Sequence, residues 1–190
     1  MTPPATNTGV QAAVPLERAG GRPVFRDVFE AELPYVCQSA RRLGVPERDV
    51  EDVAHDVFVA VHRHLDDWDA ERPIRPWLFG FAFRVASAYR RRAGNRHERV
   101  EQPPDVADQR PRADQLMEDE QRRRLVLEAL DALDDDKRAV FVMHSLDGHA
   151  VPEIAAALEI PLNTAYSRLR LAREEFAAAA KRLLLRRGTP

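Results

Sequence analysis

Residues 152–173 read PEIAAALEIPLNTAYSRLRLAR and decide the fold of the C-terminal half of the chain. Residues 152–159 are apolar and rich in alanine, and the proline in the first turn favours a short helix. A tight turn is predicted at residues 160–162, and Asn163 is a favoured N-cap residue for a longer second helix. A short helix, a tight turn and a capped helix predict a helix-turn-helix.

The predicted second helix has one apolar face and one polar, basic face. At about 100° per residue, the inward positions are Ala165, Leu169, Ala172 and Phe176, and the outward positions are Tyr166, Ser167, Arg170 and Glu174. Arg168 and Arg173 flank the outward face, and Leu171 lies at its edge. Such a face suits DNA, because small and basic groups reach base edges while flanking arginines bind phosphates. A helix pair in a plain bundle would show the same apolar stripe and is the alternative interpretation.

An acidic stripe is the main feature of residues 49–65. The pattern predicts an amphipathic helix with its apolar positions at Val50, Val53, Val57, Val61 and Leu65, and with Phe58 at the edge of that face. The opposite face carries Asp49, Asp52 and Asp56, with Val59 exposed among them. This acidic face is either simply solvated or a docking surface for a basic protein.

A basic helix with interleaved aromatic residues is predicted over residues 77–92, after a charged loop that contains Trp68. Its inner side carries Trp77, Leu78, Phe81, Val85, Ala88 and Tyr89, and its outer side carries Gly80, Phe83, Arg84, Ser87, Arg90 and Arg91. Arginines neutralise phosphates and an aromatic ring can stack on an unpaired base, so this face suits nucleic acid. Packing against the core is the alternative for Phe83 and Trp68.

The helical patterns fall into two groups, and no sustained strand pattern is present. We therefore predict an all-α chain with two small helical domains joined by a flexible acidic linker. The predicted divisions are a disordered arm at 1–22, a first domain at 23–93, the linker at 94–115 and a second domain at 116–187. In the second domain, Asp134 or Asp135 is expected to cap the helix that Gly148 ends.

The charges of this 190-residue chain are segregated, although its formal net charge is only −2. Residues 27–71 hold 12 acids against 4 arginines, and residues 72–99 hold 8 arginines against one glutamate. Blocks of opposite sign predict several partner surfaces instead of one uniformly basic surface for DNA.

Several classes of protein are disfavoured by what the sequence lacks. Its single cysteine, Cys37, forms no internal disulfide and no multi-cysteine metal site, and His55, His62 and His64 lack further ligands at suitable spacing. No nucleophile–base pair or glycine-rich phosphate loop supports an enzyme, so we expect no catalytic residue, metal or cofactor. No apolar run is long enough for a bilayer, which predicts a cytoplasmic protein without membrane insertion.

Three groups of motifs resemble those of the bacterial sigma-70-family sigma factors. Residues 49–58 (DVEDVAHDVF) are similar to the motif that binds core RNA polymerase, and residues 77–82 (WLFGFA) with 89–92 (YRRR) to the promoter −10 helix. The segments similar to the fourth region are 133–141 (LDDDKRAVF), 152–155 (PEIA) and 163–173 (NTAYSRLRLAR). Only regions 2 and 4 are present, as in the extracytoplasmic-function (ECF) subfamily. The resemblance implies a non-catalytic subunit that directs promoter-specific transcription initiation.

This resemblance assigns candidate residues to three binding surfaces. The residues that would bind core polymerase are Asp49, Asp52, His55, Asp56 and Phe58. Those that would bind the −10 element are Trp68, Phe83, Arg84, Ser87, Arg90 and Arg91. Those that would bind the −35 element are Thr164, Tyr166, Ser167, Arg168, Arg170 and Arg173. The implied partners are the clamp and flap of core RNA polymerase, promoter DNA and an anti-sigma factor, with action at the nucleoid through polymerase. The family usually has Gln, Asn, Asp and a basic residue at the positions of His55, Arg84, Ala88 and Leu171.

A helix-turn-helix transcriptional regulator that acts without polymerase is the alternative from another class. Such a protein needs neither the acidic helix nor a separate basic helix with aromatic residues, so these two features favour the sigma factor.

Overall fold

The computed structural model describes residues 18–19, 22–97 and 114–187, with side chains described for 24–93 and 120–186. The strands are β1 (Arg18–Ala19) and β2 (Arg22–Pro23), and the α-helices are α1 (Phe25–Arg42), α2 (Val50–His64), α3 (Ile74–His97), α4 (Asp114–Leu130), α5 (Asp135–Phe141), α6 (Val151–Ala157) and α7 (Leu162–Arg187). Short 3₁₀ turns at Glu47–Asp49 and Leu65–Asp67 flank α2, and a π-helical turn at Val142–Leu146 follows α5. The all-α prediction is confirmed.

Helices α1, α2 and α3 form the N-terminal domain. The apolar side of α2 is buried as its valine spacing predicted, and its acidic side faces solvent. Phe25 and Phe29 of α1 close the core against Phe58 of α2, with ring centroids 6.3 and 4.8 Å from that ring. This packing fixes which face of α2 is open to a partner.

Helices α4 to α7 form the C-terminal domain, which contains the predicted helix-turn-helix at α6 and α7. Asp134 is the N-cap of α5, because its carboxylate accepts a 2.8 Å hydrogen bond from the Lys137 amide. The predicted inward residues of α7 are buried or packed against the core, namely Ala165, Leu169, Ala172 and Phe176. Asn163 is not the N-cap, since α7 already begins at Leu162 and the Ala165 amide donates to the Pro161 carbonyl.

Some predicted boundaries shift in the structure. The arm predicted at 1–22 contains β1 and the first residue of β2, which pair antiparallel, whereas 1–17, 20 and 21 lie outside the described residues. The linker predicted at 94–115 is shorter at both ends, because α3 continues to His97 and α4 begins at Asp114. Elongation from an existing helix is less costly than starting a new one, so α3 continues through Gly94 and Asn95 although both are poor helix formers. The predicted flexibility concerns 98–113, outside the described residues.

The two domains pack against each other, although the sequence predicted them as separate units. Their buried apolar residues form a single cluster. Across the contact, Asp147 accepts hydrogen bonds from the Tyr35 hydroxyl at 3.1 Å and from Arg42 at 2.5 Å. Pairs this far apart in sequence leave no periodic signal, so the contact was not predictable from the helical pattern.

Candidate functional site

The acidic face of α2 presents side chains with no partner in the described part of the chain. Asp52, His55 and Asp56 are exposed, and neither carboxylate forms an ion pair or hydrogen bond there. Val59, which the sequence places within the same stripe, is 38% exposed as predicted. Asp49 differs from the others, since its carboxylate accepts a 2.6 Å hydrogen bond from the Tyr89 hydroxyl of α3. This bond holds the first turn of α2 against α3.

Phe58, which the helical pattern places at the edge of the apolar face and the resemblance assigns to polymerase binding, is buried. Its ring is 2% exposed and lies edge-on to Phe29 at 4.8 Å. A ring at the border of an amphipathic helix can turn to either side, and the two phenylalanines of α1 draw this one inward. The candidate polymerase surface therefore consists of Asp49, Asp52, His55 and Asp56.

The outer face of α3 carries arginines and a partly buried aromatic residue. Arg84 and Arg91 are exposed, and Arg84 lies over the Phe81 ring with its guanidinium carbon 4.7 Å from the centroid. Ser87 and Arg90 are half-buried on the same side, and Phe83 packs against the core. The structure thus gathers the predicted arginines on one face, as helical spacing requires.

Trp68 lies beyond the end of α2, in the segment that leads to α3. Its side chain is half-buried, and its indole N–H is buried without a hydrogen-bond partner in the described part of the protein. A buried indole donor normally has an acceptor, so this N–H is an exception among the buried polar groups of the described residues.

The C-terminal domain occupies part of the α3 face. Arg84 donates to Glu159 at 3.3 Å, and Arg90 forms an ion pair with Asp135. Gly80 was predicted on the outer side of α3, but it is buried because the end of α6 lies directly on it. The arginines predicted to face DNA are therefore partly engaged by carboxylates of the same chain.

The outward face of α7 is exposed as predicted. Tyr166 is 53% exposed, and Ser167 lies beside it with its hydroxyl donating to the Asn163 carbonyl at 2.9 Å. Arg170 pairs with Glu174 at 2.9 Å on the same face, and both side chains are well exposed. Because exposed pairs of this kind contribute about 0.3–0.5 kcal/mol, Arg170 is readily released to a base edge.

The flanking residues of α7 contact the rest of the domain. Arg168 donates to Asp136 at 2.5 Å and is largely covered, so it ties α7 to the start of α5. Arg173 is exposed and lies 3.4 Å from the Nδ1 atom of His144. Thr164 is half-buried in the first turn. Of Arg168, Arg170 and Arg173, Arg168 is the one most firmly held.

Burial shifts the pKa values of three side chains in and just after the π-helical turn. Burial lowers the pKa of His144, and the neighbouring Arg173 acts in the same direction. Burial raises the pKa of Asp147, although Arg42 and the Tyr35 hydroxyl oppose that shift. Burial also lowers the pKa of His149. Uncharged imidazoles are thus favoured at this part of the C-terminal domain.

Metal-binding and membrane-spanning features are not found in the described ranges. These residues contain no group of three His, Cys, Asp or Glu side chains that could hold a metal ion. His62 instead packs against Phe25 at 4.8 Å, and His64 lies 3.0 Å from an Asp67 oxygen. No helix among them is long and apolar enough to span a membrane.

Comparison with known proteins identifies both domains. Residues 28–96 match the family Sigma-70 region 2, and residues 123–176 match Sigma-70, region 4. The RNA polymerase sigma factor CnrH of Cupriavidus metallidurans is 33% identical over 177 residues, covering 88% of this chain and 90% of that protein. The chain belongs to the sigma-70 family of RNA polymerase sigma factors. It is an ECF sigma factor, and the ECF sigma-E factor of Escherichia coli is 29% identical over 68% of this chain and 73% of that protein.

Solved structures show the same fold. CnrH in complex with the cytosolic domain of CnrY covers 87% of this sigma factor and 89% of that chain, with 30% identity and a TM-score of 0.57. The sigma factor RpoE in complex with the anti-sigma factor NepR, from Bartonella quintana, is 19% identical over 83% and 96% of the two chains, with a TM-score of 0.63. A regulator that acts without polymerase is not favoured, since both sigma regions are present in one chain.

Proposed function

We propose that the acidic face of α2 is the surface through which this sigma factor binds core RNA polymerase. The observation that carries the proposal is the pair of exposed, unpaired carboxylates at Asp52 and Asp56, one helical turn apart. Unpaired surface charges can meet a basic partner without first breaking an internal ion pair. His55 lies between them, and Asp49 contributes from the first turn, where Tyr89 orients it.

The outer face of α3 is proposed to bind the promoter −10 element. Arg84, Arg90 and Arg91 would contact phosphates, and Ser87 would contact the same strand as a hydrogen-bonding group. Bases that leave the stack would be held against aromatic residues, for which Phe83 and Trp68 are the candidates. The Trp68 side chain is only half-buried, so part of its ring is open to a base.

The outward face of α7 is proposed to bind the −35 element in the major groove. Tyr166, Ser167 and Arg170 would face base edges, and Thr164, Arg168 and Arg173 would contact the backbone. Exposure of Tyr166 and the weak surface pair of Arg170 support this assignment. Arg168 would have to exchange Asp136 for a phosphate, so its contribution is expected to be smaller than that of Arg173.

The partners follow from these surfaces. We propose that α2 meets the polymerase clamp and that the C-terminal domain meets the flap, with promoter DNA bound by α3 and α7. As the solved CnrH is bound to the cytosolic domain of CnrY and the solved RpoE to the anti-sigma factor NepR, we propose that this sigma factor has an anti-sigma partner. Its site of action would be the cytoplasm, at the nucleoid through polymerase. No catalytic residue and no cofactor enter these roles.

Three variants separate the three proposed surfaces. Each is assayed for copurification with core polymerase, for permanganate reactivity of thymines opened near −10, and for dependence of run-off transcription on the −35 sequence. Asp56→Arg is expected not to copurify with core polymerase. Arg91→Ala is expected to bind polymerase but to open DNA near −10 poorly. Arg170→Ala is expected to change only the dependence of transcription on the −35 sequence. An Arg91→Ala protein that lost polymerase binding, or an Asp56→Arg protein that copurified with polymerase normally, would contradict the assignment.

A further inference from the structure

Large apolar side chains that are exposed in the described part of the chain are concentrated on α7. Five of the seven belong to this helix, namely Leu162, Tyr166, Leu171, Leu184 and Leu185. The match to Sigma-70, region 4 ends at residue 176, whereas α7 continues to Arg187. The last part of the helix, about three turns, thus extends beyond the matched region and still presents leucines to solvent.

One strip of exposed side chains runs along α7 from Leu171 to Leu185. At about 100° per residue, Leu171, Ala178 and Leu185 lie within about 20° of one line along the helix, and all three are exposed. The buried positions Ala172 and Ala179 lie about 100–120° around the helix from that line, on the face that packs in the domain. The strip is about 21 Å long at 1.5 Å per residue. The small side chain of Ala178 at its midpoint allows a second helix to approach closely.

The charges beside the strip change sign at its midpoint. Glu174 and Glu175 precede Ala178, and Lys181 and Arg182 follow it. Glu174, Lys181 and Arg182 are exposed. Neither Lys181 nor Arg182 forms an ion pair with another described residue, so both can meet an acidic partner without breaking an internal pair. Acids in one half and bases in the other form a pattern that the same helix complements when its direction is reversed.

A second copy of α7, antiparallel to the first, fits this strip. Twofold symmetry centred on Ala178 places each residue level with the one equally far beyond the midpoint, so Leu171 of one copy meets Leu185 of the other. Glu174 of one copy lies on the same side of the contact as Lys181 of the other, about 1.5 Å apart along the helix axis. The next acid and base along the chain stand in the same relation on the other side. Leucine therefore meets leucine, and acid meets base.

We propose that this strip is a homodimer surface, on which two copies of the free sigma factor pack their α7 helices antiparallel across a twofold axis at Ala178. A parallel pairing is disfavoured because it would place Glu174 beside Glu174 and Lys181 beside Lys181. A contact through one short helical strip falls at the small end of specific interfaces, so the dimer should form at micromolar concentrations. The proposal goes beyond the function proposed above and does not depend on it.

The closing experiment measures self-association of the full chain without polymerase, by sedimentation velocity over a range of micromolar concentrations. The variant Ala178→Glu places two carboxylates together on the symmetry axis. The matched control is Ala156→Glu, because it makes the same change at an exposed position of α6. Circular dichroism verifies the helix content of every protein.

A charge exchange tests the pairing itself. Lys181→Glu should weaken the dimer, since Glu174 of the other copy would then face an acid. In the double variant Lys181→Glu plus Glu174→Lys, each acid again faces a base with the polarity reversed, so association should recover. An apolar contact without this pairing would not recover in the double variant.

We expect wild type and Ala156→Glu to dimerise with similar dissociation constants. Ala178→Glu should raise the constant at least about tenfold, because like charges would meet on the axis. Lys181→Glu should raise it about five- to thirtyfold, since two symmetric pairs become repulsive. The double variant should return to within about threefold of wild type.

Three results would overturn the proposal. The first is a wild type that stays monomeric at all concentrations, as it would if another segment of the same chain covered the strip. The second is a dimer that forms equally well in Ala178→Glu. The third is a double variant that associates no better than Lys181→Glu.

Run-off transcription distinguishes these failures from failure of the proposed function. A monomeric wild-type chain that directs transcription with core polymerase would refute the dimer alone. A wild type that dimerises through the strip but directs no transcription would refute the proposed function and leave the dimer standing.

Discussion

Reversing two charges on α2 should abolish polymerase binding without harming the fold. In Asp52→Arg plus Asp56→Arg, both side chains are exposed and have no partner in the described residues, so the free energy of unfolding should change by less than about 0.5 kcal/mol at Asp56. At Asp52, in the first turn of α2, the loss of an acid that favours the helix dipole should add about 0.3–1 kcal/mol of destabilisation. Close charge pairs at interfaces show coupling energies from about 1.5 kcal/mol upwards. Two reversals should therefore weaken binding by about 3 kcal/mol or more, which is at least about a hundredfold in Kd.

The assay is titration of labelled core polymerase with wild type and variant at two salt concentrations. A matched control, Glu71→Arg plus Glu120→Arg, makes the same change in net charge at exposed positions outside α2. Wild-type affinity should fall as salt rises, because exposed charges are screened. If the α2 variant bound within threefold of the control, the acidic face would be a solvated surface and the reasoning from unpaired carboxylates would be refuted.

Three further predictions concern the recognition helix, the acid response and the core. Arg170→Ala should cost about 1–3 kcal/mol of binding free energy on the preferred −35 sequence and relax base preference at one or two base pairs. Arg173→Ala should weaken binding to all −35 sequences equally. Run-off transcription from promoters with single-base changes in the −35 element distinguishes the two outcomes. Burial lowers the pKa of His149 in the folded protein, so the unfolded chain binds a proton more readily than the folded one. The free energy of unfolding should therefore fall as the pH drops below about 6.5. Urea unfolding of His149→Gln should show a smaller decrease over the same pH range. Phe58→Ala should lower the free energy of unfolding, measured in urea, by about 3–5 kcal/mol, whereas Val59→Ala at an exposed position should lower it little. Equal decreases in the two variants would show that Phe58 is not in the core.

Local pattern predicted most of the helices and the faces that they present. The valine spacing of α2 and the inward positions of α7 are determined by a 3.6-residue period, which the sequence displays directly. The period alone left Phe58 at the edge of the apolar face of α2, and its burial is decided by Phe25 and Phe29, 29 or more residues earlier in the chain.

The domain contact was beyond the reach of local pattern for the same reason. Gly80 looks like an ordinary helix residue until Ala157 is known to lie on it, and the hydrogen bond from Tyr89 to Asp49 joins residues 40 positions apart. One local signal was present at Glu159, since the turn of a helix-turn-helix often contains glycine and this chain has an acidic residue there, with a positive φ.

Transcription in vitro with core polymerase on a genomic DNA library, followed by mapping of start sites, tests the central claim most directly. Core polymerase with this sigma factor should start at a discrete set of sites that share one sequence near −10 and another near −35. The Asp52→Arg plus Asp56→Arg variant should give only the background of core polymerase alone. Start sites no different from that background with the wild-type protein, or start sites without a shared upstream sequence, would contradict the account.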